Sequence, residues 1–247
     1  MPQDNPTVLV SRYRTDATTK ANDNSYKGHR IHALPGLHDF LASKALEYFR
    51  PGASMLDLAA GSGALSLRMH DLGYKVTATD YVSENFKLDC VPFKQCDLNS
   101  DFSASYAEGF QAIIASEIIE HLENPRHFAR ECFKLVEPGG RLLLSTPNVE
   151  NPGSKASFLR SGMFLWFTEA DYEGQGHITP LTQWQMHKAF TEAGFVFKWK
   201  GSFGEGASRV SGSPRLQWLS KIVALLSATD PLLSKEIFVA ALEKPLS

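Results

Sequence analysis

The densest chemistry in the chain lies in SEIIEHLENP, residues 116–125. Glu117, Glu120 and His121 fall within five positions. On a helical turn the spacing i, i+3, i+4 would set all three on one face. Carboxylates with an imidazole suit a hard or borderline divalent cation. The imidazole is equally a candidate general base near neutral pH. A further group must come from elsewhere. His177, in EGQGHITPLT just ahead of a helix that Thr182 would cap, is the candidate. Three readings stand: a metal held by Glu117, Glu120, His121 and His177; base catalysis by His121 or His177 with Glu120 beside them; a structural turn. The other histidines, His29, His32, His38, His70, His127 and His187, read as surface or packing residues. His29 and His32 would reach the mouth of a site if the amino-terminal segment folds over it.

A second constellation is MLDLAAGSGALSL, residues 55–67. An apolar strand carries Asp57, turns through Ala59-Ala60-Gly61-Ser62-Gly63, and enters a helix. Glycines there let backbone approach a ligand closely, and the helix start offers unpaired N–H donors. Seventeen residues after Gly63, Asp80 ends the next strand, YKVTATD, where a carboxylate is placed to accept from both hydroxyls of a ribose. The third glycine of a dinucleotide fingerprint would fall at Ser66, and Asp57 would oppose a pyrophosphate. A nucleoside with a cationic amino-acid tail fits better.

Positioning these groups needs a scaffold, and the chain alternates strand-like and helix-like segments from about residue 36 to 200. Strands are expected at 54–59, 75–79, 92–96, 110–116, 141–146, 195–200 and 236–242. One helix spans 36–50 and ends at Pro51-Gly52. Another follows residue 125, with Phe128, Cys132, Leu135 and Val136 on one face, and stops at Pro138-Gly139-Gly140. Such alternation predicts an α/β fold with a mostly parallel sheet covered on both faces. Residues 1–35 are expected to be a flexible segment and 36–247 one domain with insertions at about 149–180 and 203–235. The first insertion holds FLRSGMFLWF (158–167), read as an apolar lid, an acceptor pocket or a short packing helix. The second sets Leu216, Leu219, Ile222, Val223 and Leu226 on one helical face beside Trp218, expected to pack on the sheet or on a dimer mate. Peripheral contact with a membrane is the lesser reading, since Arg215 and Lys221 alone are thin for anionic lipid.

The stretch from Asp57 to Gly63 resembles motif I of class I S-adenosylmethionine-dependent methyltransferases, D-x-x-x-G-x-G, and the likeness extends over about residues 36–200. It implies a Rossmann-like sheet of strand order 3-2-1-4-5-7-6 with the seventh strand antiparallel. It implies S-adenosylmethionine as cofactor, bound by Asp57, Ala59, Gly61 and Gly63, by Asp80 with Tyr81 at the ribose, by Asp97 and Leu98 at the adenine, and by Ser116 and Glu117 near the methionine moiety. PGGRLLLSTPN, residues 138–148, resembles the fifth strand and its preceding turn. The set Glu117, Glu120, His121 and His177 resembles the metal centre of ubiquinone-pathway O-methyltransferases and of small-RNA 2′-O-methyltransferases, which implies Mg2+ or another divalent cation. GHITPLT and the closing FVAALEKP are similar to bacterial methyltransferases of cell-surface glycan or lipid-linked pathways. The expected reaction is therefore O-methylation of a small-molecule or glycan-type hydroxyl. An RNA 2′-O-methyltransferase and a non-catalytic S-adenosylmethionine-binding module are the alternatives.

Composition narrows the partners. The 247 residues carry a net charge of −2, with 43% hydrophobic and 21% charged residues. That excludes wholesale disorder and any global basic field for nucleic acid. Three cysteines without a CxxC pair predict neither a disulfide framework nor a cysteine zinc site. No signal-like amino terminus and no run of 18 apolar residues appear, so a cytoplasmic protein, monomeric or homodimeric, is expected.

Overall fold

Short apolar segments separated by amphipathic ones assemble as a seven-stranded sheet in the computed structural model, which describes residues 24–206, 213–227 and 230–246. The hairpin strands β1 (Ser25–Tyr26) and β2 (His29–Arg30) come first. The sheet strands follow: β3 (Ser54–Leu58), β4 (Lys75–Asp80), β5 (Phe93–Gln95), β6 (Phe110–Ser116), β7 (Val136–Pro147), β8 (Val196–Phe203) and β9 (Ile237–Glu243). Their order is β5-β4-β3-β6-β7-β9-β8. The first five run parallel, and β9 lies antiparallel between β7 and β8. Counted without the hairpin, this is the 3-2-1-4-5-7-6 order that the motif resemblance implied.

The strands read as continuous apolar runs because both sheet faces are covered. Residues of alternate parity point to opposite faces. Leu56 and Leu58 join Phe128 and Cys132 of α3 (Pro125–Leu135) and Met186 and Phe190 of α6 (Gln183–Ala193). Met55 joins Leu37 and Leu41 of α1 (Leu37–Tyr48) and Leu65 and Met69 of α2 (Ala64–Asp71). Phe128, Cys132 and Leu135, expected on one face of α3, are buried. Val136, expected with them, is buried as the first residue of β7, because the helix ends at Leu135 and the strand already runs through Pro138-Gly139-Gly140. Asn124 caps that helix by accepting from the His127 N–H at 3.0 Å, and Pro125 follows at the first helical position, where a missing N–H costs nothing. The chain leaves β3 toward β4 on one side and returns to β6 on the other. That reversal opens a crevice at the carboxyl ends of these strands.

Two expectations change. Residues 1–23 of the expected flexible segment lie outside the described residues, but 24–35 are folded. The hairpin turns through Lys27 and Gly28, both at positive φ, and the Asn24 amide donates to the Ala33 carbonyl at 2.8 Å. The Tyr26 hydroxyl donates to Asp71 at 2.8 Å, Lys27 pairs with Asp71 at 2.7 Å, and the Arg68 guanidinium lies 4.1 Å from the Tyr26 ring centre. The Ser62 hydroxyl donates to the Arg30 carbonyl at 2.5 Å. The hairpin is thereby strapped to α2 and to the glycine-rich turn. The insertions form α4 (Pro152–Ser161), α5 (Glu169–Gln175) and α7 (Pro214–Leu226). The apolar side of α7 does not reach the sheet, whose faces are already covered. Leu216 and Val223 pack on Ala156 of α4 instead, and Leu226, expected on the buried side, is exposed.

Gly63 sits at the start of α2 with φ 87°. A Cβ there would lie 2.7 Å from Leu88 Cδ1 and 3.0 Å from Phe86 Cε2. Gly63→Ala is expected to lower unfolding free energy by about 1–2 kcal/mol, since backbone strain and side-chain crowding add. Denaturant unfolding checks this; a variant as stable as the parent would refute it.

Candidate active site

A cavity of about 500 Å³ occupies the crevice at the strand ends, within the range of small-molecule sites. Asp57, Ala59, Gly61, Asp80, Tyr81, Asp97, Leu98, Ser116 and Glu117 line it. Gly63 does not: the turn presents Ser62 and Ala64 to the cavity, and Gly63 stands behind them against Leu88. Asp80 closes β4 with both oxygens held. Oδ2 accepts from the Gly61 N–H at 2.8 Å and Oδ1 from the Val82 N–H at 2.9 Å. Burial pushes its pKa up, and these backbone donors pull it back. Each oxygen keeps a lone pair, so the carboxylate still has acceptor capacity for a diol. Asp57, deeper in β3, accepts the Ser66 hydroxyl at 2.5 Å, and burial raises its pKa to about 7.

Arg30, His32 and His38 also line the cavity. Reaching the mouth was an expectation for His29 and His32; of these, His32 lines it. His38, expected at the surface or in packing, is a buried wall residue, and burial lowers its pKa to about 4. Its place on α1 gave no sequence signal beyond its type. Arg30 was missed because only the strapped hairpin brings it back over the glycine-rich turn.

The acid-histidine segment folds differently from a helical turn. β6 ends at Ser116, and Glu117 takes a left-handed φ of 52°. A single 3-10 turn follows over Ile119–His121. The one-face spacing therefore never forms. The Glu117 carboxylate turns to Ser145, whose hydroxyl donates to it at 2.8 Å, and burial pushes its pKa to about 7. Glu120, His121 and His177 do converge: one ligand atom from each lies within 4.8 Å of the others. Glu117 is outside this set.

Backbone stitching brings His177 across 56 residues. The Ile178 and Thr179 N–H groups both donate to the Glu120 carbonyl, at 3.0 and 2.9 Å. The Thr179 hydroxyl donates to the Leu122 carbonyl at 2.6 Å. The short α5 begins with a capping box at Thr168 and Asp171 and ends on Gly176 at φ 79°, which delivers His177 into the cluster. Thr182 caps α6 as expected.

The polar partners in the cluster are asymmetric. Nδ1 of His177 donates to the Trp166 carbonyl at 2.6 Å, and Nδ1 of His121 to the Gly176 carbonyl at 3.2 Å. A ring with its hydrogen on Nδ1 keeps its lone pair on Nε2. Burial lowers the pKa of both, to about 4 for His121, with the neighbouring His177 adding to the effect. Glu120 is fully buried; its Oε2 accepts from the Thr146 hydroxyl at 3.0 Å, while Oε1 has no partner. Burial and then the Glu117 charge push its pKa well up. An unpaired buried carboxylate oxygen facing two neutral imidazoles is costly alone and suits a divalent cation. Thr146, Trp166 and Gly176 are the supports that sequence reasoning missed. A Thr near the end of a strand and carbonyls at loop positions carry no recognisable pattern.

Among known proteins, a family model described as a methyltransferase domain matches residues 26–197. The chain is similar to the ubiquinone biosynthesis O-methyltransferase of Xanthomonas campestris pv. campestris (strain B100), 34% identical over 127 residues, 48% of this chain and 52% of that protein. It is similar to the mitochondrial ubiquinone biosynthesis O-methyltransferase of Rattus norvegicus, 31% identical over 109 residues, 39% of this chain and 31% of that one. The chain spans about half the length of the bacterial relative, and less of the rat one. Among solved structures, it resembles a putative sarcosine dimethylglycine methyltransferase from Galdieria sulphuraria, with TM-score 0.58, 13% identity, and coverage of 96% of this chain and 99% of that one. Identity this low shows the fold.

Proposed function

We propose that this chain, which belongs to the methyltransferase-domain family, transfers a methyl group from S-adenosylmethionine to a hydroxyl oxygen of a small-molecule acceptor. The observation that carries the reading is the convergence of Glu120, His121 and His177 at a cavity that Asp80 also lines. His121 itself belongs to both the cluster and the cavity lining.

S-adenosylmethionine, when bound, supplies a methyl carbon already made electrophilic by its sulfonium. Asp80 would hold the ribose hydroxyls, and Asp97 the exocyclic amine of the adenine. Asp57 would face the cationic amino-acid end, in the cavity that Arg30 also lines. A divalent cation held by Glu120, His121 and His177 would lower the pKa of the acceptor hydroxyl and orient its oxygen. With no cation held, the same Nε2 lone pairs of His121 and His177 would accept the hydroxyl proton instead, as general bases. The protein's remaining task is alignment and exclusion of water. The curated relatives are named O-methyltransferases, which supports an oxygen acceptor; the glycan-type acceptor rests on the looser sequence resemblance.

Calorimetry tests the cofactor. S-adenosylmethionine and S-adenosylhomocysteine should bind and NAD should not. Asp80→Ala should weaken S-adenosylhomocysteine binding by about 1.5–3 kcal/mol, because a charge-assisted acceptor is lost. NAD binding without a response to S-adenosylhomocysteine would refute the reading.

A further inference from the structure

Helix α7 is apolar on two opposite sides. Leu216 and Val223 turn inward against α4. On the far side Trp218 is 67% exposed, and Leu225 and Leu226 are more so, at 87% and 82%. At 100° per residue, Trp218 and Leu225 form one line along the helix, with Arg215 and Lys221 flanking it on either side. Helix α4 adds Phe158 and Leu159 at its exposed end, followed by Met163. Phe158, Leu159 and Leu226 border one shared groove, so the two helices present a continuous surface. Exposed apolar residues scattered singly need no explanation; five gathered on two touching helices, with Met163 in the loop beside them, do.

The charge of this face is one-sided. Residues 151–168 contain Lys155 and Arg160 and no acid, and residues 213–227 contain Arg215 and Lys221 and no acid. The whole chain is net negative. Arg160 of α4, exposed, adds to the exposed Arg215 and Lys221 of α7. A second copy docked two-fold on this face would bring like charges together, which opposes self-association. An anionic surface with an apolar interior complements both properties.

We propose that the outer face of α4 and α7 docks on the surface of an anionic lipid bilayer, with Leu159, Trp218, Leu225 and Leu226 entering the headgroup–acyl boundary and Arg160, Arg215 and Lys221 meeting lipid phosphates. This goes beyond methyl transfer and does not depend on it. It also ties the membrane to the site by chain continuity. The loop that leaves α4 carries Trp166, whose carbonyl holds His177.

Sedimentation of the full chain with phosphatidylcholine vesicles, with and without phosphatidylglycerol, tests the proposal. The protein should pellet with the anionic vesicles and release in high salt. Leu159→Glu combined with Leu226→Glu should weaken partitioning by about tenfold or more. Trp218→Ser alone should weaken it less. S-adenosylhomocysteine binding and melting temperature, read in parallel, verify that the variants are folded. Trp218 emission, taken as the difference from Trp218→Phe, should shift to the blue on vesicle addition. Failure to pellet with anionic vesicles overturns the proposal. A dimer by light scattering that Leu226→Glu dissociates would instead assign the face to a second copy. Trp218 emission already blue-shifted in a lipid-free monomer would assign it to another segment of this chain. Either result overturns the lipid assignment.

Discussion

Replacing His177 by alanine is expected to cut methyl transfer by about a hundred- to ten-thousandfold, the span of a lost acid–base or metal-ligand function. S-adenosylhomocysteine affinity should stay within about twofold, because His177 stands behind the cavity wall rather than in it. Glu120→Ala and His121→Ala should match the loss in turnover. Steady-state kinetics and calorimetry on the same preparations check both halves. If the three residues act through a metal, chelation should reproduce the variants, and magnesium or manganese should restore the parent alone. Metal affinity should also rise with pH, since Glu120 must lose the proton that burial holds on it. Full activity in chelator combined with inactive histidine variants would replace the metal by a general base. Three active variants would reduce the cluster to a structural turn.

Asp57→Asn should make the ligand-free protein more stable at pH 8 than the parent, by up to about 4 kcal/mol relative to their difference at pH 4. The Asp57 carboxyl has its ordinary pKa of 3.8 in the unfolded chain and about 7 when buried. Between these values the folded state keeps a proton that the unfolded state has released. The parent therefore loses stability as pH rises through this window, and an asparagine loses none. Glu117 and Glu120 titrate in both proteins and cancel in the comparison, whereas Asp80, whose charge helps to raise Asp57, is coupled to it. Denaturant unfolding at pH 4 and pH 8 reads the effect, and superimposable pH dependences would refute it. The same variant should bind S-adenosylmethionine less well, a trade of stability against function.

Much of the scaffold is legible in the residues because its determinants are local and periodic. Continuous apolar runs at 54–58, 110–116 and 141–146 can only be strands covered on both faces. The turn from Ala59 to Gly63 announces a ligand by its glycines. What was illegible depends on backbone geometry. One left-handed residue, Glu117, breaks the helical spacing and removes its own carboxylate from the expected set. Gly63 has the same residue type as Gly61 but supports the turn from behind. Arg30 and His38 reach the cavity only through packing between distant segments, and no spacing rule reports that. The partner of α7 was equally hidden. Its periodicity marked an apolar side, but which surface remained uncovered after the sheet was filled is a property of the whole fold.

The position of β9 has a consequence for how the chain is made. Residues 237–243 fill the gap between β7 and β8, pairing with Arg141–Pro147 on one side and Val196–Phe203 on the other. During translation, β7 emerges about ninety residues before its neighbour. Until residue 243 has left the ribosome, Leu142, Leu143 and Leu144 lie along an open strand edge, and β8 has no sheet to join. Parallel strands β3 to β7 can pair earlier, but they do so with an unfinished, apolar border that invites pairing with other nascent chains. The time for which that border stays open is set by the speed of synthesis from Phe203 to Glu243, whatever the chemistry of the finished site.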